Sequence, residues 1–132
     1  MPEDSLPKPP SATFERIKEF MEAYSNNVRF ESTVVDLRII FGQSDLQTGS
    51  EVVKQHTSIT VPWPMAKLMI YYLAINVIGQ ETQNGTIQIP PIQVPPPIEP
   101  PTEELRKGLI NPDELYERLK AVRELFLSGK ML

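Results

Sequence analysis

The sequence predicts an α+β fold in which a small antiparallel three-stranded sheet packs on one apolar helix. Three segments between positions 28 and 61 alternate apolar and polar residues, as strands with one buried face do. The stretch over 64–78 is apolar on every side and has the length of a helix. At 132 residues, the chain has room for one compact domain.

Composition places the chain among folded domains and excludes several partners. Apolar residues make up 40% and charged residues 23%, so neither general disorder nor residence in a membrane is expected. A net charge of −4 without any basic run disfavours a nucleic-acid partner, because phosphate binding needs a basic face. The chain has no cysteine, and its acidic start lacks the pattern of a signal peptide. We therefore expect a cytoplasmic protein.

Proline divides the sequence into segments, because the 14 prolines cluster at two places and outnumber the 6 glycines. The predicted division is a flexible leader over 1–10, a core domain over 11–86, a proline-rich arm over 87–101 and a C-terminal helical segment over 102–132. A first helix is expected after a cap at Ser11 or Thr13, since apolar residues then recur at helical spacing. These residues are Phe14, Ile17, Met21 and Tyr24.

The face that carries the apolar side chains changes partway through the first strand-like stretch. Val28 and Phe30 occupy even-numbered positions, whereas Leu37 and Ile39 occupy odd-numbered positions. Because side chains alternate strictly along a strand, residues 32–34 must form a turn or a bulge. The predicted strands are therefore 28–31, 35–41 and 53–61, with a polar loop over 43–50.

The apolar helix over 64–78 is expected to end at Gly79. Its polar groups are Lys67, Asn76 and two tyrosine hydroxyls, and it is shorter than the roughly 20 apolar residues of a membrane span. One sheet covers only one side of this helix, so we expect a second subunit to cover the other. The predicted interface comprises five residues of the helix and four of the arm: Met65, Leu68, Met69, Tyr72, Ile75, Ile89, Ile92, Val94 and Ile98.

The arm over 87–101 is expected to be largely polyproline II or otherwise extended, since proline fixes φ and removes a backbone donor. Isoleucine and valine interrupt the prolines. This pattern favours an arm that lies on an apolar surface of its own or of a neighbouring subunit. The alternative is a ligand for a proline-recognition module, for which Pro97 and Pro100 have the required spacing.

The last helix has the best-formed start in the chain, with Asn111 as its cap and Pro112 in its first turn. Glu114 and Arg118 are expected to form an i, i+4 pair, and Gly129 marks the end of the helix. An apolar stripe is interpreted as part of the domain's own core, with contact to a partner as the alternative. The stripe consists of Leu115, Leu119, Val122 and Phe126, with Leu125 beside it.

No combination of residues indicates catalysis. The single histidine, His56, has no acidic or cysteine neighbours, so it is interpreted as a residue of the sheet face rather than a metal ligand. The 6 glycines are isolated and form no phosphate-binding loop. Trp63 is interpreted as a core residue, with an interface anchor as the alternative. We therefore expect no enzyme, no cofactor and no metal.

Three motifs resemble one known family. They are Tyr24-Ser25-Asn26-Asn27-Val28-Arg29-Phe30, Asp36-Leu37-Arg38-Ile39-Ile40-Phe41-Gly42, and a helix start with Pro64, Ala66, Lys67 and Leu68. The pattern resembles the bacterial and archaeal family catalogued as domain of unknown function 3467 over about residues 24–81, with Leu37 in place of the usual aromatic residue. The resemblance implies a fold and a small oligomer, without an established activity.

These observations together predict a non-catalytic oligomeric protein that serves interaction or assembly. A homodimer or larger homo-oligomer is expected, since a unit of about sixty residues gains little stability alone. An unidentified protein partner is a further expectation. The alternative function is a chaperone-like binder of unfolded or apolar polypeptide, which needs an apolar groove left open after assembly.

Overall fold

The computed structural model describes residues 6–7, 10–44 and 52–132. The chain divides into two compact units, Met1–Val61 and Pro62–Leu132. The border falls inside the predicted core domain over 11–86, so most of the sheet belongs to the first unit and the long apolar helix to the second. The predicted packing of that helix on the sheet stays a prediction.

A three-stranded antiparallel sheet forms the first unit, and with the helices of the second unit it confirms the predicted α+β class. The strands are β1 (Asn27–Ser32), β2 (Asp36–Ser44) and β3 (Val53–Pro62), in the order β1-β2-β3. Phe30 lies opposite Ile39 in the β1–β2 ladder. The predicted loop over 43–50 begins inside β2, and its remainder lies outside the described residues.

The predicted turn between β1 and β2 is confirmed, and Thr33 and Asp36 close it. The N–H of Thr33 donates to the carbonyl of Asp36 at 2.9 Å, and the Thr33 hydroxyl donates to the Asp36 carboxylate at 2.9 Å. The N–H of Asp36 in turn donates to the Thr33 hydroxyl at 3.0 Å. This local network explains the change of apolar face, because β2 starts a new alternation after the turn.

Side chains extend the sheet beyond the start of β1. The amide of Asn26 donates from Nδ2 to the carbonyl of Ser44 at 2.9 Å and accepts at Oδ1 from the N–H of Ser44 at 2.8 Å. One residue earlier, the Ser25 hydroxyl accepts from the N–H of Gly42 at 3.1 Å. These bonds pair the end of β2 with side chains where the backbone ladder stops.

The predicted helix after Ser11 or Thr13 is wrong, because residues 10–26 contain no helix. One turn is present, in which the N–H of Phe20 donates to the carbonyl of Ile17 at 3.1 Å. Phe14 is 91% exposed and Met21 is 85% exposed. A helix of this length is marginal in water unless its apolar face packs on another surface, and in the described part of the chain this face stays largely exposed.

Three helices and a short 3-10 turn make up the second unit. They are α1 (Trp63–Asn84), the 3-10 turn Pro91–Gln93, α2 (Glu103–Gly108) and α3 (Pro112–Ser128). Helix α1 continues six residues past 78, so the predicted stop at Gly79 is wrong. The stop is Gly85, whose φ of 92° favours glycine and whose N–H donates to the carbonyl of Glu81 at 2.9 Å.

The junction between α2 and α3 lacks the predicted side-chain cap. Asn111 precedes α3, but its side chain makes no capping hydrogen bond, and its φ of 51° places it in the left-handed region. A bidentate ion pair crosses the junction instead, with Arg106 Nη1 at 2.8 Å from Asp113 Oδ1 and Nη2 at 2.9 Å from Oδ2. Gly129 ends α3 with a φ of 71°, as predicted.

Candidate interaction surface

Helix α1 is apolar on all sides, and the single chain leaves all of its residues at least partly exposed. Proline at its start needs no backbone donor, and between Trp63 and Asn84 only Lys67 and Glu81 carry charge. None of the residues of α1 is buried. Large apolar side chains along the helix keep about half or more of their surface exposed: Met65, Leu68, Ile70, Tyr71, Tyr72, Leu73, Ile75 and Ile78. In the described residues as a whole, Ile39 and Val61 are the buried hydrophobic side chains, each at 4% exposure.

One side of α1 carries no charge. Since an α-helix turns about 100° per residue, the predicted interface residues Met65, Leu68, Met69, Tyr72 and Ile75 lie on one side, which we call the α1 face. Lys67 and Glu81 lie on the other side. Asn76 lies within the α1 face, and its amide donates to the carbonyl of Tyr72 at 2.7 Å within the helix, which satisfies part of its polarity. The α1 face is therefore uncharged and largely apolar.

The proline-rich arm is bound to its own chain by Arg123 of α3. Arg123 Nε donates to the carbonyls of Pro95 at 3.2 Å and Pro96 at 2.9 Å, and Nη2 donates to the carbonyl of Pro95 at 2.9 Å. Consecutive prolines offer carbonyl acceptors without donors of their own, which suits the guanidinium fork. This contact could not be predicted from the sequence, since no local pattern relates Arg123 to residues 27 positions earlier.

The arm is less uniform than the predicted polyproline II segment. A 3-10 turn interrupts it at Pro91–Gln93, closed by the N–H of Gln93 donating to the carbonyl of Pro90 at 2.8 Å. Two of the predicted interface residues, Ile89 and Val94, are each 43% exposed, and Ile92 is 73% exposed. Ile98 is half-buried. Part of the apolar surface of the arm thus stays accessible, most of all at Ile92.

An open groove of about 480 Å³ runs along α3 from Ile110 to Val122. Its lining residues come from positions 110–122, and we call it the α3 groove: Ile110, Asn111, Glu114, Leu115, Arg118, Leu119 and Val122. Leu115, Leu119 and Val122 are 41%, 43% and 52% exposed. The interpretation of this stripe as a core is therefore wrong, and the predicted pair of Glu114 with Arg118 is absent from the ion pairs of the described residues.

His56 and Trp63, for which the sequence predicts a structural role, are both exposed. His56 is exposed in β3, where Nε2 lies 3.0 Å from the carbonyl oxygen of Tyr24 and Nδ1 lies 2.7 Å from the Thr57 hydroxyl. In the part of the chain that the structure describes, no cluster of acidic or histidine side chains could hold a metal ion. Trp63 is 39% exposed at the start of α1, so its interpretation as a core residue is wrong.

Comparison with known proteins does not assign this chain to a family or a function. No family model, no curated protein and no solved structure matches it. The resemblance to the domain of unknown function 3467 family over about residues 24–81 therefore stays a prediction. Among the described helices, none is both long and apolar enough to cross a membrane.

Proposed function

We propose that this chain is a non-catalytic interaction protein that assembles with a second copy of itself through helix α1 and the proline-rich arm. One observation carries the proposal: none of the apolar side chains of α1 is buried in the single chain. Leu68 is 55% and Tyr72 56% exposed on the α1 face. Contiguous apolar surface of this kind marks interaction sites in soluble proteins.

The amount of apolar surface suits a stable dimer. Each large side chain offers on the order of 100 Å² when it is half-exposed, and seven of the nine predicted interface residues are exposed to about that extent or more, so together they offer about 700 Å². One partner contributes about this area to an interface of standard size.

The chemistry of the α1 face also favours a second copy over other occupants. Charged residues are depleted at the centre of stable protein interfaces, and both charges of α1 lie away from this face. A surface without basic residues offers nothing to nucleic acid. A second copy supplies the same uncharged face, so two copies bury like against like around a two-fold axis.

The test is the mass of the protein in solution, measured by light scattering coupled to size exclusion at micromolar concentration. We expect an oligomer for the unaltered chain. Leu68→Glu places a charge at the centre of the α1 face and should weaken association at least about a hundredfold, because an unpaired buried charge is costly. Ile70→Glu is the matched control, since Ile70 is 70% exposed on the other side of α1 and its substitution should leave the mass unchanged.

A monomeric unaltered chain would overturn the proposal, as would equal effects of the two substitutions on the oligomer. If Leu68→Glu instead leaves the mass unchanged but lowers the binding of an unfolded polypeptide, the binder of unfolded or apolar polypeptide is favoured, since the α1 face then stays open after assembly.

A further inference from the structure

We propose that the α3 groove is a second interface, in which α3 pairs antiparallel with α3 of another copy of this chain. The inference goes beyond assembly through α1, because it uses a different surface and stands on different residues. The groove is open, and four apolar side chains along it remain accessible. Ile110 is 90% exposed, and Leu115, Leu119 and Val122 are between 41% and 52% exposed.

The distribution of charge along the groove identifies its occupant. Glu114 and Arg118 line it, carry opposite charges and form no ion pair with each other among the described residues. They stand one helical turn apart, about 6 Å along the axis. In an antiparallel pair with a two-fold axis midway between them, Glu114 faces the partner's Arg118 and Arg118 faces the partner's Glu114.

The same axis also matches the apolar ends of the groove. The groove extends from Ile110 to Val122, and its midpoint coincides with the midpoint between Glu114 and Arg118. An antiparallel partner therefore sets Ile110 against the partner's Val122, while Leu115 lies close to the axis and its own symmetry mate. A parallel partner would instead set glutamate against glutamate and arginine against arginine, which is repulsive.

The size of the groove suits an interface that adds to another one. Its apolar residues offer on the order of 400 Å², about half of what one partner contributes to a standard interface. Alone, such a contact is weak. In a dimer already joined through α1, two copies of the groove act together, so the second contact gains from effective concentration. If α1 also associates, the expected product is therefore a tetramer or a larger closed assembly.

A charge-exchange experiment tests the pairing. Glu114→Arg alone sets arginine against arginine and Arg118→Glu alone sets glutamate against glutamate, so each variant should weaken α3 pairing about tenfold or more. An equimolar mixture of the two variants restores opposite charges at both contacts and should recover the unaltered mass. Circular dichroism of each variant checks that α3 still folds. The measurement is sedimentation velocity at low salt, where the exposed charges are least screened.

The Leu68→Glu variant separates this proposal from assembly through α1. In that background the α3 groove should still give a weak dimer, and Glu114→Arg should abolish it. If the single charge variants keep the unaltered mass, the α3 proposal is wrong while assembly through α1 stands. If the single charge variants form a smaller oligomer than the unaltered chain and Leu68→Glu does not, the proposed assembly through α1 is wrong instead. Failure of the mixture to recover the mass also overturns the antiparallel pairing.

Discussion

The guanidinium of Arg123 donates two hydrogen bonds to the backbone carbonyl of Pro95, from Nε at 3.2 Å and from Nη2 at 2.9 Å. The contact joins α3 to the proline-rich arm within one chain. Because prolines restrict the arm before it binds, one side chain can hold it with little further loss of conformational entropy. The arm therefore contacts its own chain through its backbone, while Ile92 and other side chains stay accessible to a neighbour.

Substitution of Arg123 should release the arm. We expect Arg123→Gln to raise hydrogen exchange at the amide of Val94 about tenfold, since hydrogen bonds from a charged donor contribute about 1.5–3 kcal/mol. Arg123→Lys should release it nearly as much, because lysine lacks the planar fork that reaches two carbonyls. Lys120→Gln, on the same helix, is the control. Unchanged exchange in both Arg123 variants would show that the arm is held by other contacts.

The ion pair of Arg106 with Asp113 predicts a pH dependence at the α2–α3 junction. The hydrogen bond from Arg106, and secondly its charge, hold the pKa of the Asp113 carboxyl below its ordinary value. A carboxyl with a lowered folded-state pKa contributes stability above its unfolded pKa of about 3.9, and this contribution is lost as the pH falls through the lower folded value.

We expect Arg106→Gln to raise the pKa of Asp113 toward its ordinary value. Carbon-detected NMR titration of the Asp113 carboxyl measures this directly. Lys107→Gln removes a neighbouring positive charge of the same helix and serves as the control. The proposal of a specific pair fails if both variants move the pKa of Asp113 equally, because the effect would then come from general charge rather than from the bidentate contact.

Gly42 of β2 lies against the backbone of β3 too closely for any other residue. A Cβ at this position would lie 2.8 Å from the carbonyl oxygen of Lys54 and 3.1 Å from Cα of Gln55. We expect Gly42→Ala to lower the free energy of unfolding by about 1–3 kcal/mol, since the backbone must move to make room. Urea unfolding at constant protein concentration measures the loss.

Gly79→Ala is the contrasting substitution. A Cβ at Gly79 would meet no heavy atom within 4 Å, and the residue lies inside α1. Alanine should therefore raise the stability of the helix by up to about 1 kcal/mol. If both alanine substitutions shift the urea midpoint in the same direction, the close approach of β2 to β3 does not limit position 42.

Asn26 should stabilise the edge of the sheet through its two bonds to the backbone of Ser44. We expect Asn26→Ala to lower the free energy of unfolding by about 1 kcal/mol, since both bonds are lost at an exposed site. Ser44→Ala leaves the backbone partner in place and should have little effect. Hydrogen exchange at the amide of Ser44 locates the change, and equal protection in the two variants would contradict the assigned role.

The strands and the boundaries between them follow from local sequence. The change of parity between Phe30 and Leu37 predicts a turn at 32–34, and Thr33 supplies it with its own hydroxyl. The end of α3 is equally local, because Gly129 adopts a positive φ that other residues avoid. For α1 the same rule fails at Gly79, because a glycine that meets no constraint stays in the helix and only Gly85 takes the φ that ends it.

The sequence by itself determined the α+β class, the three strands, the turn and the apolar character of α1, since alternation, helical spacing and turn chemistry act over a few residues. Only the tertiary structure decided where apolar residues are covered. It left Phe14 and Met21 exposed without a helix, left the stripe of α3 open and joined Arg123 to Pro95. Burial and long-range hydrogen bonds depend on segments far apart in the chain, and periodicity carries no information about which of them meet.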